Sequence, residues 1–272
     1  SPSPSPSPSP SPSPSPSPSP ETTSSPTPTP IPSTTTPIAI NIELLQDFSN
    51  LNADDISSIS LNAIGELSAD QINNLPSTAM QGFSATQISE LSVDALAIFT
   101  PNQIKQLPAE AIKGLSPEQV SELSSKAVKG FTSDQMEQMP KQTFEALNLT
   151  QLSKLNKDAV TGLTAKHLKT LSIDELSAFK PKKIKSINAD AISGLKPNAL
   201  NSLSKSQIKR FTTNQLGALT WRQIKRADNF LDSLSDRQYM ALFSDTNKSV
   251  RFPDPSNELE KLGIISGIDP LA

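Results

Sequence analysis

Ser68-Ala-Asp-Gln-Ile-Asn-Asn-Leu75 is the stretch on which the reading of the fold rests. Ser68 suits a helix N-cap, because its hydroxyl can accept from a backbone N–H that has no partner inside the helix. Gln71, three residues on, can reach back to the cap N–H and complete a capping box. Ile72 and Leu75 stand at i and i+3, on one face of a helical turn. Eight residues thus carry a start signal, about one and a half turns of helix and an apolar edge.

The same grammar runs outward in both directions. One apolar residue recurs every eighth position from Phe48 to Ile224, and a second follows three residues behind it from Leu51 to Leu219, ending weakly at Ala227. Capping-box spellings recur as Ser84-Ala-Thr-Gln87, Thr100-Pro-Asn-Gln103, Ser116-Pro-Glu-Gln119 and Thr212-Thr-Asn-Gln215. Pro76, Pro101, Pro108, Pro117, Pro140, Pro181 and Pro197 all fall at the cap or one residue after it, where a helix tolerates a missing N–H. Acidic residues gather two residues past the cap and lysines near the end of the unit, as the helix dipole favours.

One continuous helix does not fit this beat. Eight residues at 100° each leave a drift of about 80° per unit, so the apolar stripe would wind around the axis. Strands do not fit either, since residues three apart point to opposite faces of a sheet. The expectation is an all-α fold, an α-solenoid of capped eight-residue helical turns, each ending in a corner. Helices this short do not persist alone, so stacking must hold them.

A slower rhythm overlies the octad. The residue before the first apolar position alternates between Ala and Gln, from Ala63 and Gln71 to Ala127 and Gln135. Small residues recur at sixteen or thirty-two positions, as in Gly82, Gly114, Gly130, Gly162 and Gly194. This predicts a coil of two octads, sixteen residues, with glycine serving a close approach or a tight exit turn. Three regions follow: a Ser/Pro/Thr-rich arm over 1–37, the octad solenoid over 38–227, and a C-terminal cap and tail over 228–272. Ser235-Asp-Arg-Gln238 restores the grammar one residue out of phase.

Residues 1–20 are ten consecutive Ser-Pro dipeptides, and 21–37 continue with threonine. Proline fixes φ and pushes its predecessor toward extended geometry, so the arm should favour polyproline II. On that reading alone it is a semi-rigid linker or a glycosylated stalk. The run Ser1 to Pro20, with Thr27 to Pro32, resembles the Ser-Pro modules of hydroxyproline-rich glycoproteins of plants and green algae. Similar tracts occur in bacterial wall proteins and large algal viruses. The algal and plant resemblance implies hydroxylated, glycan-bearing prolines, with Ser1, Pro2, Pro4, Pro6, Pro8, Pro10, Thr27 and Thr29 as candidate sites. Two sequons, Asn148-Leu-Thr150 and Asn247-Lys-Ser249, add Asn148 and Asn247 as N-glycosylation candidates.

Little else in the chain offers chemistry. There is no cysteine, which removes disulfides and thiolate metal sites. The single histidine, His167, stands in the slot held mostly by Gln or Ala and reads as a capping substitute. No Gly-rich phosphate loop is present, and the regular Asp rows lack the Asp-Gly loops of calcium sites. No cofactor, no metal and no catalytic constellation are expected. No apolar run reaches the length of a membrane span. The chain opens on Ser1 without a signal peptide, which suggests a mature form or a fragment.

Net charge is −3, yet it is unevenly spread. Residues 47–150 hold five lysines against thirteen carboxylates, and 151–226 hold fifteen Lys/Arg against four. The two halves read either as solvated faces or as poles that pair between molecules. Lys180, Lys182, Lys183 and Lys185 form a candidate polyanion site. Nucleic acid is disfavoured because the aromatics sit at core positions. The functional expectation is a non-enzymatic extracellular structural glycoprotein that self-associates or joins other surface proteins in a fibre, appendage or wall layer. The alternative is an adhesin-like module for anionic polysaccharide or a partner protein.

Overall fold

The structure is a computed structural model of the full chain, and residues 47–243 are described. The chain divides into two units, Ser1–Thr36 and Pro37–Ala272. The Ser-Pro arm lies outside the described residues, as does the tail beyond 243.

Among the described residues there is no strand; the chain is a succession of short helices in repeated arrangement. Each octad forms one of them. Ala69–Asn74 begins at N-cap Ser68, whose hydroxyl accepts from Gln71 N–H while Gln71 Oε1 accepts from Ser68 N–H at 2.8 Å. The helix stops at Leu75, which is extended (φ −66°, ψ 130°) and donates its N–H to Ile72 O. The next residue begins the next octad, also extended. Two junctions on, Leu91 (φ −61°, ψ 135°) is succeeded by Ser92 (φ −63°, ψ 152°). Two consecutive extended residues make the corner, and no left-handed backbone is needed. Octads with Ala in the glutamine slot are wound more tightly in places, as 3₁₀ segments over Ser77–Gly82, Glu110–Gly114 and Ala127–Gly130.

Both apolar series are interior. Every position from Phe48 to Ile224 in the first series is buried, and so is every position from Leu51 to Ala227 in the second. Together they form one continuous core. Each octad contributes two buried side chains, each favoured by about 1.5–3 kcal/mol when an aliphatic or Phe is fully removed from water. No single octad can bury both without neighbours.

The expected sixteen-residue coil is corrected by the packing. Helices touch at three octads, not two. Ala53–Ser58 packs on Ser77–Gly82, Ala85–Glu90 on Glu110–Gly114, and Pro101–Gln106 on both Ser77–Gly82 and Ala127–Gly130. The same step joins Ala189–Ile192 to Thr213–Ala218. The repeating packing unit is therefore 24 residues, while the Ala/Gln alternation has a period of sixteen. The register also continues past 227. Gln238 donates to Ile208 O at 3.0 Å and Phe211 O at 3.2 Å, so the helix Asp236–Phe243 fastens onto earlier octads as the others do.

The recurring glycines mark the closest approach between octads three apart. A Cβ on Gly82, Gly114, Gly130, Gly162 or Gly194 would fall deep inside the van der Waals radius of a backbone carbonyl, that of Ala53, Ala85, Pro101, Ser133 or Ala165 respectively. Of the two roles expected for these glycines, close approach is the one observed. Gly217 differs, with nothing near the place its Cβ would take. Gly162→Ala is therefore expected to cost about 1–3 kcal/mol by overpacking. Gly217→Ala, inside the helix Thr213–Ala218, is expected to stabilise by about 0.4–1 kcal/mol. Urea unfolding of the two variants beside the wild type checks both signs.

Candidate functional site

The polar groups of this fold divide into those spent on the interior and those left on the surface. The interior set is the glutamine row. Gln87, Gln103, Gln119, Gln135, Gln151, Gln207, Gln215 and Gln223 are all buried. Gln135 shows the pattern: its Oε1 accepts from Thr132 N–H at 3.0 Å, and its Nε2 donates to Ile104 O at 2.7 Å and Leu107 O at 2.6 Å. The two acceptors belong to the last turn and the C-cap of the helix Pro101–Gln106, which ends at a corner one packing turn earlier. The amide thus starts its own helix and ties down a corner below it. Gln87, Gln119, Gln215 and Gln223 repeat this with the carbonyls 31 and 28 residues back.

His167 takes the same post, as the capping reading expects. Its Nδ1 accepts from Thr164 N–H at 3.2 Å, which places the ring proton on Nε2, 2.9 Å from Met139 O. Its ring stacks on Phe144, centroids 4.7 Å apart. Burial holds the imidazole below its ordinary pKa, Lys166 adds to this, and the bond to Met139 O opposes it. Protonation of Nδ1 would remove the acceptor for Thr164 N–H. Thr143 is a third occupant of the slot, with a single bond to Leu115 O at 2.7 Å.

Lys183 is a fourth, and this corrects the reading of the lysine cluster. Lys183 stands in the glutamine slot, is half-buried, and gives its ammonium to Ser153 O at 2.6 Å. Burial first, then Lys180 and Lys154, push its pKa below the usual lysine value. It is a fastener rather than a surface cation. Lys180, Lys182 and Lys185 remain exposed.

The 24-residue register brings other cations to them. Pro181–Ile184 packs on Lys205–Ile208, so Lys185 and Lys209 hold equivalent places on adjacent octads. Lys185, Lys209, Arg210 and Arg237 line one open pocket of about 520 Å³, with Thr213 and Ser235. All four cations are exposed, and among the described residues none is in a salt bridge; the two ion pairs seen are Lys113–Glu110 and Lys141–Glu145. Sequence reasoning missed Lys209, Arg210 and Arg237 because it folded the chain at sixteen residues. The spacing from Lys185 to Lys209 is visible once the packing step is known.

Of the glycosylation candidates, Asn148 is described. It caps Leu149–Lys154 through Oδ1, which accepts from Gln151 N–H at 3.0 Å, and it is exposed together with Leu149 and Thr150. Asn247, Ser1, Pro2, Pro4, Pro6, Pro8, Pro10, Thr27 and Thr29 lie outside the described residues. Among the described residues there is no group of three or more metal-ligating side chains, and no helix is long and apolar enough to cross a membrane.

His167 generates a pH prediction with a fixed sign. Its folded pKa is lowered, so its contribution to stability is complete above the ordinary value near 6.5 and is lost as pH falls through the folded value. His167→Gln would regain a second donor toward Met136 O and remove the titration. It is expected to be more stable by about 0.5–1.5 kcal/mol at pH 7.5, with the gap widening below pH ~6.5. Thermal melts of both proteins across pH 7.5 to 4.5 check it; a constant gap contradicts it. No known protein family matches this chain, and no curated protein is significantly similar to it in sequence.

Proposed function

We propose that this protein is a non-enzymatic extracellular structural glycoprotein: a polyproline II Ser-Pro stalk joined to an α-solenoid of three octads per turn, serving in a fibre, surface appendage or wall layer. The observation that carries the reading is the glutamine row. The polar side chains that recur at fixed spacing are consumed in holding one turn to the next, from Gln87 to Gln238. A fold that repeats one fastening supplies extension and surface, and each turn needs only its neighbours for support. The Ser-Pro arm suits a spacer that keeps such a unit away from its anchorage. The acidic and basic halves suit contacts between copies or with other surface proteins.

Asn148 supports the glycoprotein reading in its chemistry. The cap uses Oδ1, and a glycan would join Nδ2, so one side chain can serve both. The test is peptide-level mass spectrometry on protein from its native source, covering residues 1–37 and both sequons. Hydroxyproline with attached sugar, or glycan on Asn148, is the expected result; an arm and sequons without any modification contradict it. Asn148→Asp is expected to abolish modification at that site with a stability change under about 0.5 kcal/mol, whereas Asn148→Ala loses the cap and about 1 kcal/mol.

A second reading is favoured by one observation. The four cations around one pocket, none in a salt bridge among the described residues, fit an adhesin-like grip on anionic polysaccharide.

A further inference from the structure

We infer that the pocket bounded by Lys185, Lys209, Arg210 and Arg237 seats one charged sugar of a linear anionic polysaccharide, through its sulfate or carboxylate group. This deepens the second reading above and rests on it.

The argument starts from the register. Four cations from three separated stretches of chain converge on one concave surface, and among the described residues no carboxylate lines it. Asp236 neighbours Arg237 in the chain but does not line the pocket. Cations held together without counter-charges repel one another, and an oxyanion placed among them relieves that repulsion. Two of the four are arginines, whose planar forks present paired N–H donors to a sulfate or carboxylate. Thr213 and Ser235 add polar lining, and Phe211 lines the pocket as an apolar residue. At about 520 Å³ and open to one side, the pocket has room for one sugar ring with its charged substituent while the polymer runs on outside.

The surroundings favour a polymer over a free ion. Lys180, Lys182 and Lys205 are exposed on the same two octads that carry Lys185 and Lys209. They extend the positive surface away from the pocket, where further charged sugars would lie. Octads three apart share a column, and the earlier members of this one carry Glu66, Glu90, Glu110, Asp134, Glu137 and Asp158 against only Lys113 and Lys157. Those carboxylates repel a polyanion and confine it to the basic end. The surface charges act over about a Debye length, so binding should weaken steeply with salt.

The test compares two variants that remove equal charge. The first is Lys185→Gln, Lys209→Gln, Arg210→Gln, Arg237→Gln. The second is Lys154→Gln, Lys166→Gln, Lys169→Gln, Lys196→Gln, which lie in the same half of the chain but not around the pocket. The pocket side chains are exposed, so the fold should survive, and far-UV circular dichroism with a melting curve verifies it. Binding of a heparin oligosaccharide, an oligogalacturonate and inorganic sulfate is measured by calorimetry at about 0.15 M salt. The proposal predicts that the wild type binds at least one of the oligosaccharides more tightly than inorganic sulfate. It predicts a loss of about tenfold or more in the pocket variant and under about threefold in the second. Equal losses in both variants would show diffuse attraction and overturn the pocket while leaving the polyanion reading in place. Sulfate binding as tight as the tighter of the two oligosaccharides would overturn the polymer as occupant. No binding of either oligosaccharide by the wild type would overturn the pocket and the polyanion reading together.

Discussion

A buried primary amide must find partners for two donors and an acceptor, or its burial costs more than its packing returns. Each interior glutamine of this protein meets that demand in one geometry. Its oxygen holds the first N–H of its own helix, and its nitrogen holds two carbonyls of a corner one turn away. With the amide removed, Ile104 O keeps the N–H of Leu107, whereas Leu107 O would be left short of a donor at a cost of about 1–3 kcal/mol. Helix start, corner and stacking distance are thereby linked in one side chain. The six-residue helices could not persist without such links, since nucleation alone outweighs what so few backbone hydrogen bonds return.

The alternation of Ala and Gln becomes intelligible from the same constraint. With three octads to a packing turn, residues 24 apart occupy equivalent places, and an odd number of octads places unlike kinds over one another. Gln103 comes 24 residues after Ala79, Gln119 after Ala95, and Gln135 after Ala111. The strict alternation along the chain fails from Thr143 onward, and beyond Ala199 Gln207, Gln215 and Gln223 come in succession. Yet Gln215 still follows Ala191 and Gln223 still follows Ala199 at the packing step. The rule that survives is the one set by stacking. Gln207 follows Lys183, whose long side chain leaves the slot for Ser153 O. The glycines complete the arrangement by letting a backbone carbonyl of one octad approach the end of another where a Cβ could not fit.

Much of this was legible from residue order. The capping boxes at Ser68, Ser84 and Thr100, the interior places of the two apolar series, and the capping role of His167 all follow from local rules, because helix caps and i, i+3 faces are local. The length of the packing turn was not legible. It is a long-range quantity, and the only chemical rhythm slower than the octad has a period of two, which hides a geometric period of three. The error propagated to the surface. Lys180, Lys182, Lys183 and Lys185 looked like one cluster in the chain, whereas Lys183 turns inward and Lys185 joins Lys209, Arg210 and Arg237. A cluster assembled across turns cannot be read before the turn is known.

The account depends on the glutamine amides being engaged on every side, and hydrogen exchange of their Nε2 protons measures that directly. In ¹⁵N-resolved spectra, the side-chain amide protons of Gln87, Gln103, Gln119, Gln135, Gln151, Gln215 and Gln223 should exchange only when the packed turns open, more slowly by orders of magnitude than those of exposed Gln142. Exchange of the buried set at the rate of Gln142 would contradict the account, since the amides would then be meeting water rather than the carbonyls of the turn below.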